Sequence, residues 1–240
     1  MRKKIYILLF LLINITSLSA QQKDGTYTFL NVTNSARVAA LGGTMLPIYD
    51  SDIQITTFNT TMINSEFNNS MALSYVDYFN DINFGTIQYG RSFEKLGSFV
   101  ATIQYHNYGD FYYSDETGYI DETQFSVSDY SVNLGWGRQL NKKFTIGANL
   151  KFAGIQYENN SAFAIAVDVA GTYKTESNWV LSLVARNIGV ELYNNYQAYR
   201  NKLPFKMQAG FSKKLEHLPL TMVVIYDNLQ QWDLSYEDPL

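Results

Sequence analysis

Residues Ser161 to Lys174 alternate with a period of two. Phe163, Ile165, Val167, Val169 and Tyr173 fall on one parity, and Ala162, Ala164, Ala166, Asp168, Ala170, Thr172 and Lys174 on the other. Side chains alternate across a strand, so this segment presents one apolar face and one small, polar or charged face. The pattern returns. Tyr130, Val132, Leu134 and Trp136 oppose Ser131, Asn133, Gly135 and Gly137; Phe144, Ile146, Ala148, Leu150 and Phe152 oppose Thr145, Gly147, Asn149, Lys151 and Ala153; Phe205, Met207, Ala209 and Phe211 oppose Lys206, Gln208, Gly210 and Ser212. Segments 98–106 and 178–187 follow less cleanly, and 220–226 is apolar on both parities. Repeats of roughly 10 to 14 residues joined by short polar turns point to an all-β, outer-membrane β-barrel.

The first twenty residues read as a secretory signal peptide: a cationic start at Met1–Lys4, an apolar run from Ile5 to Ile15 broken by Asn14, then small and polar residues to Ala20. Cleavage is expected after Ala20 or, because Leu18 fits the first option poorly, after Ser19. That run is too short for a spanning helix, and no later stretch approaches the roughly 18 apolar residues one needs. Entry into a membrane would therefore be as a closed barrel, since only helices and barrels satisfy every backbone group in lipid. The absence of cysteine excludes disulfides, thiolate metal ligands and a lipid-modified N-terminal cysteine. Nineteen tyrosines and fifteen phenylalanines suit a barrel with aromatic girdles. A net charge of -4 gives no basic field for nucleic acid.

Strands are expected near 71–78, 83–92, 97–107, 129–139, 143–157, 161–174, 178–187, 204–214 and 219–227. With the first rising from the periplasm, the turns at 93–97, 140–143, 175–178 and 215–219 are periplasmic and short, while 108–128 and 188–203 are long extracellular connections. Nine is odd, whereas single-chain bacterial barrels have even strand numbers. The expectation is an incomplete barrel over 67–240 lacking C-terminal strands; the alternative is a count wrong by one and a small barrel complete as given.

Residues 21–66 have a different grammar, expected to form a hatch or plug. Asn34-Ser35-Ala36-Arg37-Val38-Ala39-Ala40-Leu41-Gly42-Gly43 offers a cap, a short helical run and a Gly-Gly stop. This block, with Gly25-Thr26-Tyr27-Thr28-Phe29-Leu30-Asn31 before it and Asp50 and Asp52 after it, resembles the N-terminus of the PorV/PorQ family of type nine (IX) secretion system barrels of the Bacteroidetes, relatives of the FadL fatty-acid transporter. The resemblance continues through Met71–Tyr75, Phe144–Lys151, Asp168 with Gly171 and Tyr173, and Asn187-Ile188-Gly189. Asn59-Thr60-Thr61 departs from the Asn-Pro-Ala usual after the helix. The resemblance implies a FadL-like barrel of 14 strands with an N-terminal hatch. It also implies an attachment-complex role with a PorZ-like surface partner and PorU and PorV components.

Signals of catalysis are weak. Ser92-Phe93-Glu94-Lys95 matches S-x-x-K, but that motif needs a helix and S-D-N and K-T-G partners, and here it crosses from a strand into a turn. His106 and His217, the only histidines, fall on opposite sides of the expected membrane, which argues against a shared metal site. No Gly-rich loop links a strand to a helix for phosphate binding. The expectation is a protein without enzymatic activity or cofactor.

Two sets of residues stand out. Lys151, Asp168, Arg186 and Lys206 occupy the lumenal parity of four successive strands, as a salt-bridge ladder or a polar track for a ligand or the hatch. In the 108–128 connection Tyr108, Phe111, Tyr112, Tyr113 and Tyr119 lie among Asp110, Asp115, Glu116, Asp121 and Glu122, and 188–203 adds Tyr193, Tyr196 and Tyr199, as partner-binding loops or as part of an aromatic girdle. The expected role is an outer-membrane anchor for a surface protein. The alternative is a transporter or porin for a hydrophobic molecule, which the small, polar interior disfavours.

Overall fold

The computed structural model describes residues 26–231 except 34, 49–51, 115–116, 196–199 and 217, with the side chains of 114, 121 and 122 also excepted. The signal peptide, Asn34, Asp50, Asp115, Glu116, Tyr196, Tyr199 and His217, and the side chains of Asp121 and Glu122, lie outside the described residues.

Nine strands form one antiparallel sheet in sequence order: β1 Ser70–Asp77, β2 Asn83–Phe93, β3 Gly97–Ser114, β4 Ile120–Gln139, β5 Phe144–Tyr157, β6 Asn160–Lys174, β7 Trp179–Asn194, β8 Lys206–Lys214 and β9 Thr221–Tyr226. Among the described residues the sheet is not closed; β1 and β9 are its edges. Three strands outrun the sequence expectation. The stretch 108–128 is mostly hairpin, and β7 continues to Asn194. Both extensions pass through bulges, at Tyr108-Gly109 on β3 and at Arg186-Asn187 on β7, where the register with the neighbouring strand slips by one residue. Gly109 (φ +81°) and Asn187 (φ +56°) adopt the left-handed backbone that such a slip demands.

The two faces of the sheet are inverted relative to a soluble fold. Polar side chains such as Gln88, Gln104, Ser131, Asn133, Asn149, Thr172 and Ser182 are at most 5 % exposed. On the opposite parity Leu73, Ile103, Tyr105, Val132, Leu134, Val169 and Leu183 are each more than 40 % exposed. Burying the first set requires a cover, and the described residues between 26 and 69 supply it.

That cover is built from 3-10 turns at Thr28–Asn31, Ile53–Thr57, Thr60–Met62 and Ser65–Phe67 and one helix, α1 Ala36–Ala40. Ser35 caps α1 by accepting from Val38 N at 3.3 Å, and positive φ at Gly42 and Gly43 ends it. The last three 3-10 turns are capped in turn by the side chains of Asp52, Asn59 and Asn64. Thr60 takes the first position of its turn, where proline is also accommodated because no N–H is required there. Val38, Met45, Ile55, Phe58 and Met62 form one apolar cluster; Ile53, Ile63 and Phe67 pack on Val100; Tyr27, Phe29 and Leu30 pack on Ala153, Ile155, Ala162, Ala164 and Ala166. The core thus lies between the cover and small side chains of the sheet.

Glycines set the depth of this contact. A Cβ on Gly147 would lie 2.5 Å from Thr60, one on Gly137 2.8 Å from Ile63 Cβ and from Thr60 O, and one on Gly135 2.7 Å from Ile63 Cδ1. The backbone of the third 3-10 turn therefore rests directly on β4 and β5.

Candidate functional site

The site begins at the bulge on β7. Val169 pairs with Ala185 and Val167 with Ile188, so Arg186 and Asn187 both stand opposite Asp168. Asn187 N donates to Asp168 Oδ1 at 2.8 Å, and Lys151 Nζ, from β5, meets Asp168 Oδ2 at 2.7 Å. Lys151 Nζ also donates to Asn187 Oδ1 at 2.9 Å, and Asn149 Nδ2 to Asp168 Oδ2 at 3.3 Å. The ion pair is dry, with side chains 2 % and 3 % exposed. At that burial an unmatched charge is expensive. The convergence of Lys151, Asn149 and Asn187 on one carboxylate supplies the compensation.

From this centre two residues reach the cover. Arg186 Nη2 donates to Leu30 O at 3.1 Å, and its guanidinium lies 5.2 Å from the Phe58 ring centroid. Asn187 Nδ2 donates to Asn31 Oδ1 at 3.0 Å and to Pro204 O at 2.9 Å. Lys206 shares the covered parity of β8 with Gln208, Gly210 and Ser212 but stands apart from the cluster. Its Nζ meets Asp227 Oδ2 at 3.1 Å.

Two further polar clusters complete the fastening. Asn59 Nδ2 donates to Leu46 O at 2.6 Å and to Ser182 Oγ at 3.3 Å, while Thr61, Thr172 and Ser182 exchange hydroxyl contacts of 2.5 and 2.7 Å. Tyr27 Oη donates to Glu191 Oε2 at 3.1 Å, and Asn194 and Asn201 also bind that carboxylate. The sequence marks Asn59-Thr60-Thr61 and Asn187-Ile188-Gly189 only as motif positions; the contacts of Asn59, Thr61 and Asn187 are not anticipated from it, and Glu191 is not singled out at all. Asn187-Ile188-Gly189 inside a strand pattern is itself a bulge signal.

The aromatic residues expected in a loop lie otherwise. Tyr108, Phe111, Tyr112 and Tyr113 are on β3, and Tyr119 immediately precedes β4. The correction follows from the bulge at Gly109, which lets the ladder resume at Asp110–Ser126 and Phe111–Phe125. Tyr108 Oη donates to Asp129 Oδ2 at 2.7 Å. Phe111, Tyr113 and Tyr157 surround Phe125 with centroid separations of 5.7, 4.9 and 5.3 Å.

At the other end of the sheet a basin of about 1030 Å³ opens among Asn64, Ser92, Arg138, Lys143, Lys174 and Glu176. Ser92 Oγ donates to Ser98 Oγ at 2.8 Å across the β2–β3 hairpin, whose turn holds Lys95. His106 is buried against Phe29 and Phe84, with centroids at 5.6 and 4.7 Å. Among the described residues no group of three or more His, Asp or Glu side chains is placed to hold a metal. No family model and no curated protein matches the chain.

Proposed function

We propose that this chain is an outer-membrane β-barrel of the type nine secretion attachment complex, anchoring a PorZ-like surface protein alongside PorU and PorV components. The observation that carries the membrane part is the inverted sheet. A band of exposed Leu, Ile, Val, Phe, Tyr and Met running across all nine strands exceeds the few hundred Å² a soluble monomer tolerates, and lipid is the solvent that favours it. The secretion role rests on the N-terminal and strand motifs that resemble the PorV/PorQ family. The N-terminal segment, held to the barrel wall by Arg186, Asn187, Asn59 and Tyr27, suits a fixed plug, and so an anchor, better than an open conduit.

The test is a clean deletion in the native host. Loss of the chain should release the PorZ-like partner from the cell surface and leave type nine cargo unprocessed. Normal cargo attachment together with lost uptake of a hydrophobic compound would favour the FadL-like transporter instead.

A further inference from the structure

The β3–β4 hairpin overhangs its neighbours. Pairing with β2 ends at Asn107 and pairing with β5 at Val127, leaving 108–114 of β3 paired only with β4, with the β1–β2 turn beside Gly109. At about 3.3 Å per residue this part of β3 projects about 20 Å. The bulge at Gly109 also changes what the covered parity carries. Below it that face is polar, with Gln104, Ser131 and Asn133 buried. Above it the same face carries the Phe111, Tyr113 and Phe125 rings, joined by Tyr157, which continues the parity of Lys151, Ala153 and Ile155. These rings turn away from the apolar face that presents Tyr105, Tyr130 and Val132, so they do not belong to a lipid-facing girdle. Phe111 is 42 % and Tyr157 47 % exposed.

Charge is segregated along the strands in the same direction. From Leu96 to Gly137 the sequence contains no lysine or arginine but carries Asp110, Asp115, Glu116, Asp121, Glu122 and Asp129. Asp77 and Asp81, exposed at the β1–β2 turn, and Glu158 at the β5–β6 turn add to the same end. Arg91, Lys95, Arg138, Lys142, Lys143 and Lys174 are exposed at the opposite end, outnumbering Glu66, Glu94 and Glu176 there. On the β7–β8 side Arg200 and Lys202 limit the acidic field to the sector over β1–β6.

We infer that this overhang docks a partner protein through a lysine- and arginine-rich face, with the Phe111–Phe125–Tyr157 cluster as its anchor. Aromatic rings attract cations through their faces, and the acidic residues that the same hairpin carries in its sequence add an attractive field. Anionic lipid headgroups are repelled by the same field. A second copy of this chain would have to offer its basic end, which in a shared membrane lies on the other side. The inference rests on the outer-membrane reading above, in which the overhang faces outward, and it specifies the chemistry of the surface partner.

The test uses the full chain in its own cells, with Phe111→p-benzoylphenylalanine as the photocrosslinker and Val132→p-benzoylphenylalanine as the lipid-side control. Irradiation should give a protein adduct at 111 and not at 132, with the crosslinked peptide on a face of net positive charge. That protein, purified and titrated against the detergent-solubilised chain, should bind about tenfold or more weakly in ~500 mM than in ~50 mM salt. A similar loss is expected for the charge-only variant Asp110→Asn/Asp121→Asn/Glu122→Gln, and one of about thirtyfold for Phe125→Ala, mostly through faster dissociation. The charge-only variant changes no apolar packing, so it answers even if Phe125→Ala fails to assemble. No adduct, an adduct to lipid or glycan alone, or an affinity indifferent to both salt and the charge variant overturns the inference. Cargo attachment scored in the deletion strain separates the two readings. A salt-sensitive adduct with normal cargo keeps the docking surface and removes the secretion role; lost cargo without an adduct does the reverse.

Discussion

Replacing Asp168 by asparagine is the sharpest perturbation of the buried cluster, because it changes charge and almost nothing else. The carboxamide oxygen of the Asp168→Asn side chain would still accept from Asn187 N, so the backbone of the bulge keeps its partner. What is lost is the anion between two cations: with Lys151 and Arg186 both buried at 2 % exposure, the cluster goes from a net +1 to +2. Breaking a buried pair by removing one partner costs about 3–5 kcal/mol. Lys151→Met has the opposite electrostatic sense. It takes the cluster to zero, leaves Asp168 bonded to Asn187 N and Asn149 Nδ2, and forfeits only the ammonium contacts, for about 1–3 kcal/mol. The double variant Lys151→Met/Asp168→Asn should therefore fall within about 1 kcal/mol of Lys151→Met alone, so that the coupling energy equals roughly the whole Asp168→Asn cost, about 3–5 kcal/mol, at or above the top of the range for residues in one network. The exposed pair Lys143–Glu176, at 2.8 Å with side chains 47 % and 86 % exposed, serves as a control. Its Glu176→Gln variant should cost less than about 1 kcal/mol. Reversible urea unfolding in lipid vesicles, followed by tryptophan fluorescence, measures all four. If Lys151→Met proves as costly as Asp168→Asn, the cluster is not organised around a scarce anion and the reasoning fails.

Gly147→Val should unseat the turn at Thr60–Met62 and cost about 2–4 kcal/mol, with new protease cleavage in 52–67, whereas Gly171→Ala, which meets nothing within 4 Å, should stay within about 0.5 kcal/mol of the parent. Equal behaviour of the two would mean that the cover does not rest on β5. Leu134→Arg, on the exposed apolar face, should cost about 2–4 kcal/mol in vesicles; an unchanged unfolding midpoint would place that face outside lipid. Incubation with a fluorescent β-lactam should leave Ser92 unlabelled, since Lys95 sits in a turn and the Ser92 hydroxyl is committed to Ser98. A Ser92-dependent adduct would revive the catalytic reading.

Sheet register was legible in the sequence because strand parity is a local property: Phe163, Ile165 and Val167 alternate with alanines whatever lies elsewhere. The nine strands were expected, but their lengths were not, because the alternation breaks at Gly109 and Asn187 for a physical reason. A bulge inserts one residue, and every position beyond it changes face, so an alternation followed through 108 or 187 dissolves and the remainder reads as loop. The cover was harder still. Its 3-10 turns are too short to show periodicity, and what decides the burial of Thr60 and Ile63 is the absence of a side chain at Gly135, Gly137 and Gly147, on strands far along the chain. In a strand considered alone those glycines are merely weak positions. Lys151, Asp168 and Arg186 could be assigned to one face from parity, but their junction could not, because the residue that joins them is Asn187. Its amide binds Lys151, Asn31 and Pro204 while its N–H binds Asp168. Four segments meet at one uncharged residue, three of them at a side chain that left-handed backbone geometry lets protrude. A search restricted to titratable residues therefore finds the charges and misses the part that ties the cover to the wall.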